Sequence, residues 1–325
     1  PLMNRCIAGQ YPAASTFKAF TGLAALNYGF ASSSTSWNCS GTWTGFGEAY
    51  AQKCWLTTGH GAIDLRHGIV VSCDVVFYEI AKNFYDASSK IGDDAMQNYI
   101  KEFGLGSKTG IELPDEAQGV IPTPEWKKEY FRNAPEEGQW QPGDMTNMVI
   151  GQGNVLVTPL QMAVGYAGIA TGTLVPNLLK EVRNSSGETV VSREPKKGTM
   201  PDVEKAHLEI MRDALRGVAE EDGGLPTMLK QYDYQCACKT GTGEWADHDG
   251  YAWFAMYAPY DNPKYVVTCV ITEGGAGADA AAPIAAAVMD GCIKLGDGTI
   301  SGDPAVIEEV SEIIEYAGTG AGRVD

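Results

Sequence analysis

Ser15-Thr16-Phe17-Lys18 is the feature that most restricts this chain: a hydroxyl and an amine stand three residues apart at the head of an apolar run. Positions i and i+3 share a helix face, so a helix here brings the Ser15 oxygen and the Lys18 nitrogen together. Phe17, Phe20, Thr21, Ala24 and Tyr28 recur at helical spacing and predict a buried face, with Gly29 as the stop. Pro12 suits a chain entering a helix. Ser15 then falls in the first turn, where free N–H groups and the positive dipole end stabilise developing negative charge. Burial disfavours the ammonium form of Lys18, and the neutral amine can take the Ser15 proton. The spacing alone is weak, since about one such match arises by chance in a chain this long. A capping serine with a solvated lysine is the ordinary alternative.

Two more peptides weigh against that alternative. They are Ser72-Cys73-Asp74 and Lys239-Thr240-Gly241-Thr242, in the order that serine acyl-transferases of the penicillin-recognising group require. Around them the periodicity predicts helices over 64–85, 95–103, 160–171, 205–220 and 283–295, with Ser72 where two helical pieces of the first meet. Strands are predicted over 178–183 and 188–191 about an Asn184-Ser185-Ser186-Gly187 turn, and over 236–242, 252–257 and 265–273. Segment 32–47 reads as loop, 54–61 as turn-rich, and 109–144 as a long ordered excursion with little regular structure. Beyond Asp297 the chain turns acidic and Gly-rich, with a short helix expected at 305–316.

With 325 residues, 44% of them hydrophobic, the chain can bury a large core. Its net charge of −17 argues against a nucleic-acid partner and offers no polybasic membrane patch. No segment reaches the roughly 20 apolar residues of a membrane span, and the start does not read as a signal peptide. For an exported protein, the anchor is expected outside this sequence.

By these residues the chain resembles the transpeptidase domain of class B penicillin-binding proteins, over about 4–295. Beyond the three motifs the likeness includes Gly151-Gln152-Gly153, Val157-Thr158-Pro159-Leu160-Gln161-Met162-Ala163, Gly119-Val120-Ile121-Pro122 with Trp126-Lys127, and Ala252-Trp253-Phe254. Asp74, where most relatives carry Asn, together with His60-Gly61, is similar to the elongation-specific type that works with the rod-shape machinery. The resemblance implies an α/β (α+β) fold shared with serine β-lactamases: an antiparallel sheet flanked by helices, plus an all-helical subdomain. It implies a transpeptidase domain over 1–296 and an acidic tail over 297–325. The family fold begins with two strands ahead of the nucleophile helix. This sequence does not supply them, so either a sheet lacking strands or strands contributed by a separate piece is expected.

Carried over, Ser15 is the nucleophile and Lys18 its base. Ser72 relays a proton to the leaving amine, and Asp74 accepts from Lys18 and a substrate amide. Lys239 brings positive charge near Ser72, and Thr240 and Thr242 hold the substrate carboxylate. The backbone N–H groups of Ser15 and Thr242 form the oxyanion hole. Gly241 lets a peptide lie against the strand edge. Alternation puts Lys239 and Gly241 on the active face, with Cys236 and Cys238 turned into the core. Ala14 and Gly243 depart from the usual Gly and Ala without touching a reacting group.

Cys39, Cys54, His60 and Cys73 all fall between the first two motifs, and three thiolates with an imidazole form a closed tetrahedral set for structural zinc. Separate burial is the alternative. The resemblance favours the metal, since some elongation-type relatives hold zinc with Asp, His and Cys ligands; Cys39 and Cys54 stand for the aspartates. No organic cofactor is expected. Cys236, Cys238, Cys269 and Cys292 read as buried thiols, with a disulfide as the alternative.

The function implied is a D,D-transpeptidase acting on peptidoglycan stem peptides, acylated by β-lactams, at the extracytoplasmic face of the bacterial membrane. Its implied partners are a rod-complex glycosyltransferase and scaffold proteins. The alternatives are a serine β-lactamase and a non-catalytic β-lactam sensor or scaffold.

Overall fold

A small sheet and a set of helices share one core, and the Ser15 turn sits at their junction. The computed structural model describes residues 3–172, 175–194, 196, 198, 202–221, 225–244 and 248–300. Strand β1 (Ala237–Gly243) pairs antiparallel with β2 (Tyr251–Ala258), which pairs antiparallel with β3 (Tyr265–Ile271), in the order β1-β2-β3. The register runs from Ala237 opposite Tyr257 to Gly243 opposite Tyr251, and Trp253 faces Val270 on the far side. Central β2 reads apolar at every position, and 252–258 are all buried, the pattern of a strand covered on both faces. Helices supply the cover.

The predicted first helix is α1 (Lys18–Asn27), preceded by a 3-10 turn over Ala14–Phe17, so Ser15 lies in the tighter turn rather than in α1 itself. Sequence periodicity predicted one buried face, yet every residue from Lys18 to Leu26 is buried. The reason is tertiary, because α1 is packed against several other helices at once. Gly29 ends it with φ 72°. The second motif lies, as predicted, between two helical pieces, α2 (Leu65–Val70) and α3 (Asp74–Ile91). Next come α4 (Pro159–Thr171), opened by a Thr158–Gln161 capping box, α5 (Lys205–Glu221), and the closing α6 (Gly277–Gly296). The Glu181–Arg183 and Thr189–Ser192 strands form the predicted hairpin.

Three expectations need correction. Segment 109–144 holds two helices, Pro124–Tyr130 and the start of Pro142–Val149, each with proline at its head, where a missing N–H costs nothing. Segment 32–47 contains a strand, Ser36–Cys39, whose antiparallel partner Gly61–Asp64 lies too far along the chain for local composition to show it. Helix α6 begins six residues before the predicted start and carries Pro283 inside it. Its buried Ala281, Ala282, Ala285 and Ala286 let it lie close on the sheet. The helix expected at 305–316 lies outside the described residues. None of the described helices is long and apolar enough to cross a membrane.

Candidate active site and metal cluster

Backbone bonds from distant elements fix the Ser15 turn. Ala14 N–H donates to Gly151 O at 2.8 Å, Tyr11 and Val157 exchange backbone bonds at 2.9 Å, and Trp253 Nε1–H donates to Pro12 O at 2.8 Å. From below, the buried Tyr166 hydroxyl donates to Thr16 O at 2.9 Å. Gly151, at φ 74°, has no room for a side chain: a Cβ there would lie 2.4 Å from Ala14 O. Ala14 itself holds φ 52°, a left-handed conformation that costs an L-residue about 1–2 kcal/mol. The departure from glycine at this position therefore strains the residue next to Ser15, a consequence the sequence did not reveal.

Lys18 is fully buried, and its Nζ gathers the second motif. It lies 2.6 Å from Asp74 Oδ1, 2.9 Å from Ser72 O and 3.3 Å from Ser72 Oγ. Asp74 Oδ2 accepts from the backbone N–H of Trp55 at 2.9 Å. Ser72 holds φ 55°, another left-handed non-glycine residue of the kind that persists only where its surroundings over-determine it. Here the Lys18 bond, the Asp74 contacts and Cys73 N–H donating to Gly68 O at 2.8 Å supply that constraint.

The third motif closes the site. A Cβ built on Gly241 would stand 3.3 Å from Ser15 N and 3.2 Å from the Ala14 Cβ, so the edge of β1 runs directly against the Ser15 turn. Lys239 is fully buried on the same side of the strand as Gly241, with Nζ donating to Thr240 O at 3.3 Å. Cys236 and Cys238 are buried, as alternation predicted. Ser15, Ser72, Asp74, Thr240, Gly241 and Thr242 line one cleft of about 640 Å³. Lys18 and Lys239 stand behind its wall. Among the lining residues to which the sequence reading gave no role are Trp55 and Gln152. Gln152 reaches β1 through Nε2–H to Thr242 O and accepts from Glu244 N–H, both at 3.4 Å. Its place between Gly151 and Gly153, at φ 74° and 67°, was the available signal.

Beside the cleft, one ligand atom from each of Cys39, Cys54, His60 and Cys73 lies within 4.8 Å of all the others. His60 Nδ1 is 3.6 Å from both the Cys39 and the Cys54 Sγ. Tetrahedral zinc, with bonds of about 2.3 Å to sulfur and 2.0–2.1 Å to nitrogen, sets sulfur and nitrogen about 3.6 Å apart. The residues fit the ion. The donor chemistry agrees: a hydrogen bond from Cys73, with backbone N–H groups of Leu56 and Asp74, holds the Cys54 thiol down to about 5 against its desolvation. Donating that bond, together with burial, pushes the Cys73 thiol far up. Cys236, Cys269 and Cys292 are free thiols.

Three peptides far apart in the chain that line one cleft define a class of protein. The chain belongs to the penicillin-binding protein transpeptidase domain family, whose profile matches residues 1–290. Among its relatives is the peptidoglycan D,D-transpeptidase MrdA of Haemophilus influenzae, 33% identical over 314 residues that cover 89% of this chain and 45% of the relative. Among solved structures, the PBP2 of Helicobacter pylori in complex with MreC matches with TM-score 0.77 and 28% identity, over 92% of this chain and 52% of that one. The PBP2 of Pseudomonas aeruginosa in complex with WCK 5153 matches at 0.76 and 28%, over 90% and 63%. The chain spans about half the length of the curated relatives it matches.

Proposed function

We propose that this chain is the catalytic domain of an elongation-type peptidoglycan D,D-transpeptidase that works through an acyl-enzyme on Ser15 and is acylated by β-lactams. The observation that carries this reading is the position of Lys18 Nζ, bonded to both Ser72 and Asp74 on the turn that bears Ser15, with Gly241 packed on Ser15 N. For the reaction the Lys18 amine must first give up the proton it carries in its pair with Asp74; it then accepts the Ser15 proton while Oγ attacks the carbonyl carbon of the penultimate D-Ala. The oxyanion is held by the N–H groups of Ser15 and Thr242, a kind of element whose loss typically costs ~10²–10³ in rate. The C–N bond then breaks, and the terminal D-Ala leaves with a proton relayed from Lys18 through Ser72 Oγ, 3.3 Å away. An acceptor amine attacks the ester and returns the proton to Ser15. Thr240 and Thr242 hold the substrate carboxylate, and Lys239 adds positive charge from behind the strand. Asp74 Oδ2 already accepts from Trp55 and has a second lone pair for a substrate amide.

Cys39, Cys54, Cys73 and His60 Nδ1 would hold a structural zinc ion. When bound it supplies a cross-link rather than reaction chemistry, tying the Cys54–Trp55 segment to the loop of Ser72 and Asp74. The fold, the complex of the Helicobacter pylori relative with MreC, and the cross-linking chemistry favour work at the extracytoplasmic face of the membrane. There the domain would act with a scaffold protein and a glycosyltransferase.

Intact-mass measurement after penicillin treatment tests the reading. A long-lived adduct of one penicillin mass, absent in Ser15→Ala, is expected, with turnover of a D-Ala-D-Ala peptide. Rapid release of hydrolysed drug would make the protein a β-lactamase. An adduct without peptide turnover would make it a sensor, and no adduct a scaffold.

A further inference from the structure

The indole of Trp55 is 60% exposed at the cleft, yet it is not loose. Its Nε1–H donates to Val71 O at 3.0 Å, its backbone N–H donates to Asp74 Oδ2 at 2.9 Å, and its ring meets the His60 ring edge-on at 5.4 Å and 62°. The preceding residue, Cys54, is buried in the thiol cluster. The polar end of the side chain is satisfied, so what remains open to the cleft is apolar ring surface already fixed in place. A fixed aromatic face binds an apolar group with little ordering cost, the property that makes tryptophan frequent among energetic anchors. Val71 and Ile150 line the same cleft and extend the apolar surface. The Thr240–Thr242 edge and the Ser15–Lys18–Ser72 set are polar, so they do not supply a place for an apolar side chain.

We propose that Trp55 is a specificity-determining residue whose indole face receives the apolar side chain of the acyl donor. The proposal rests on the acyl-enzyme reading above and adds what the cleft selects. Its test compares second-order acylation rates of the full chain with two compounds of one ring system: a penicillin bearing a benzyl side chain, and 6-aminopenicillanic acid, which bears none. Trp55→Ala should slow the benzyl compound about tenfold and leave the other within about twofold, the size of one lost aromatic contact. Trp55→Phe keeps a ring but loses the bond to Val71 O, and should retain most of the preference. Equal slowing of both compounds by Trp55→Ala would make Trp55 a support for the Ser72 loop and overturn the proposal. A second readout does not depend on the alanine variant folding. In 5-fluorotryptophan-labelled protein, the resonance missing from Trp55→Phe should shift on acylation by the benzyl compound and not by 6-aminopenicillanic acid. The same shift with both, or none with either, overturns the proposal. Wild type that forms no adduct with either compound would remove the acyl-enzyme reading as well.

Discussion

The Lys18–Asp74 pair offers a test that does not depend on knowing the substrate. Lys18 has no exposed side-chain surface, the Asp74 side chain is 13% exposed, and their N···O distance is 2.6 Å. At an effective dielectric near 20 that separation corresponds to about 6 kcal/mol of attraction. Desolvating the two ions costs several kcal/mol each, so the pair as a whole is near break-even against an apolar substitute. Removing one partner is different. Lys18→Met leaves the carboxylate with only the Trp55 N–H and strips Ser72 O of its donor, and should cost about 3–5 kcal/mol. Asp74→Asn leaves a buried ammonium with only neutral oxygen partners, the Asn amide oxygen and the two on Ser72, so it should destabilise by less than Lys18→Met. The double variant has neither charge. Its cost should fall short of the summed single costs by about 2–3 kcal/mol, the coupling typical of groups in direct contact. Urea unfolding followed by far-UV circular dichroism, with m-values checked for constancy, measures all four corners of the cycle. Additivity within about 0.5 kcal/mol would refute the argument, because the contact would then contribute nothing and Lys18 would be held by packing alone.

Further outcomes are expected elsewhere. Gly151→Ala forces a Cβ to 2.4 Å from Ala14 O at φ 74°, so it should destabilise by about 3 kcal/mol or more and suppress acylation of Ser15 in the penicillin assay. Metal analysis of purified protein should find about one zinc per chain, lost in Cys54→Ser; wild type purified in zinc-containing buffer that retains none would remove the metal site. Bonds from Arg66 hold the Glu221 carboxyl below its usual value, so their contribution is present above about pH 4.5 and lost as pH falls through the lowered value. Arg66→Ala should therefore flatten the stability profile between about pH 5 and 3, read by thermal unfolding, and an unchanged profile would contradict it.

How much of this could be read from the chain follows the range of the interaction concerned. The three motifs, the helix after Ser15, the break at Ser72 and the strands around Lys239 were legible, because side-chain periodicity and turn chemistry act over a few residues. Helices at Pro124 and Pro142 were hidden by the same Pro-rich composition that marks a loop. The strand at Ser36–Cys39 was hidden because its partner begins at Gly61. The cysteines and His60 raised the expectation of a metal by donor type alone, but their spacings could not say that the ligand atoms meet within 4.8 Å.

The sequence by itself determined the chemistry available: which hydroxyl, which amines, which thiols, and the local backbone that carries each. Only the tertiary structure decided that Lys18 turns to Asp74, that Gly241 lies on Ser15 N, and that Trp55 is pinned beside them. These contacts join residues 19, 56 and 226 positions apart. They exist because elements from along the whole chain pack on α1 and β2 and bring the three peptides to one cleft, and no local pattern encodes that packing.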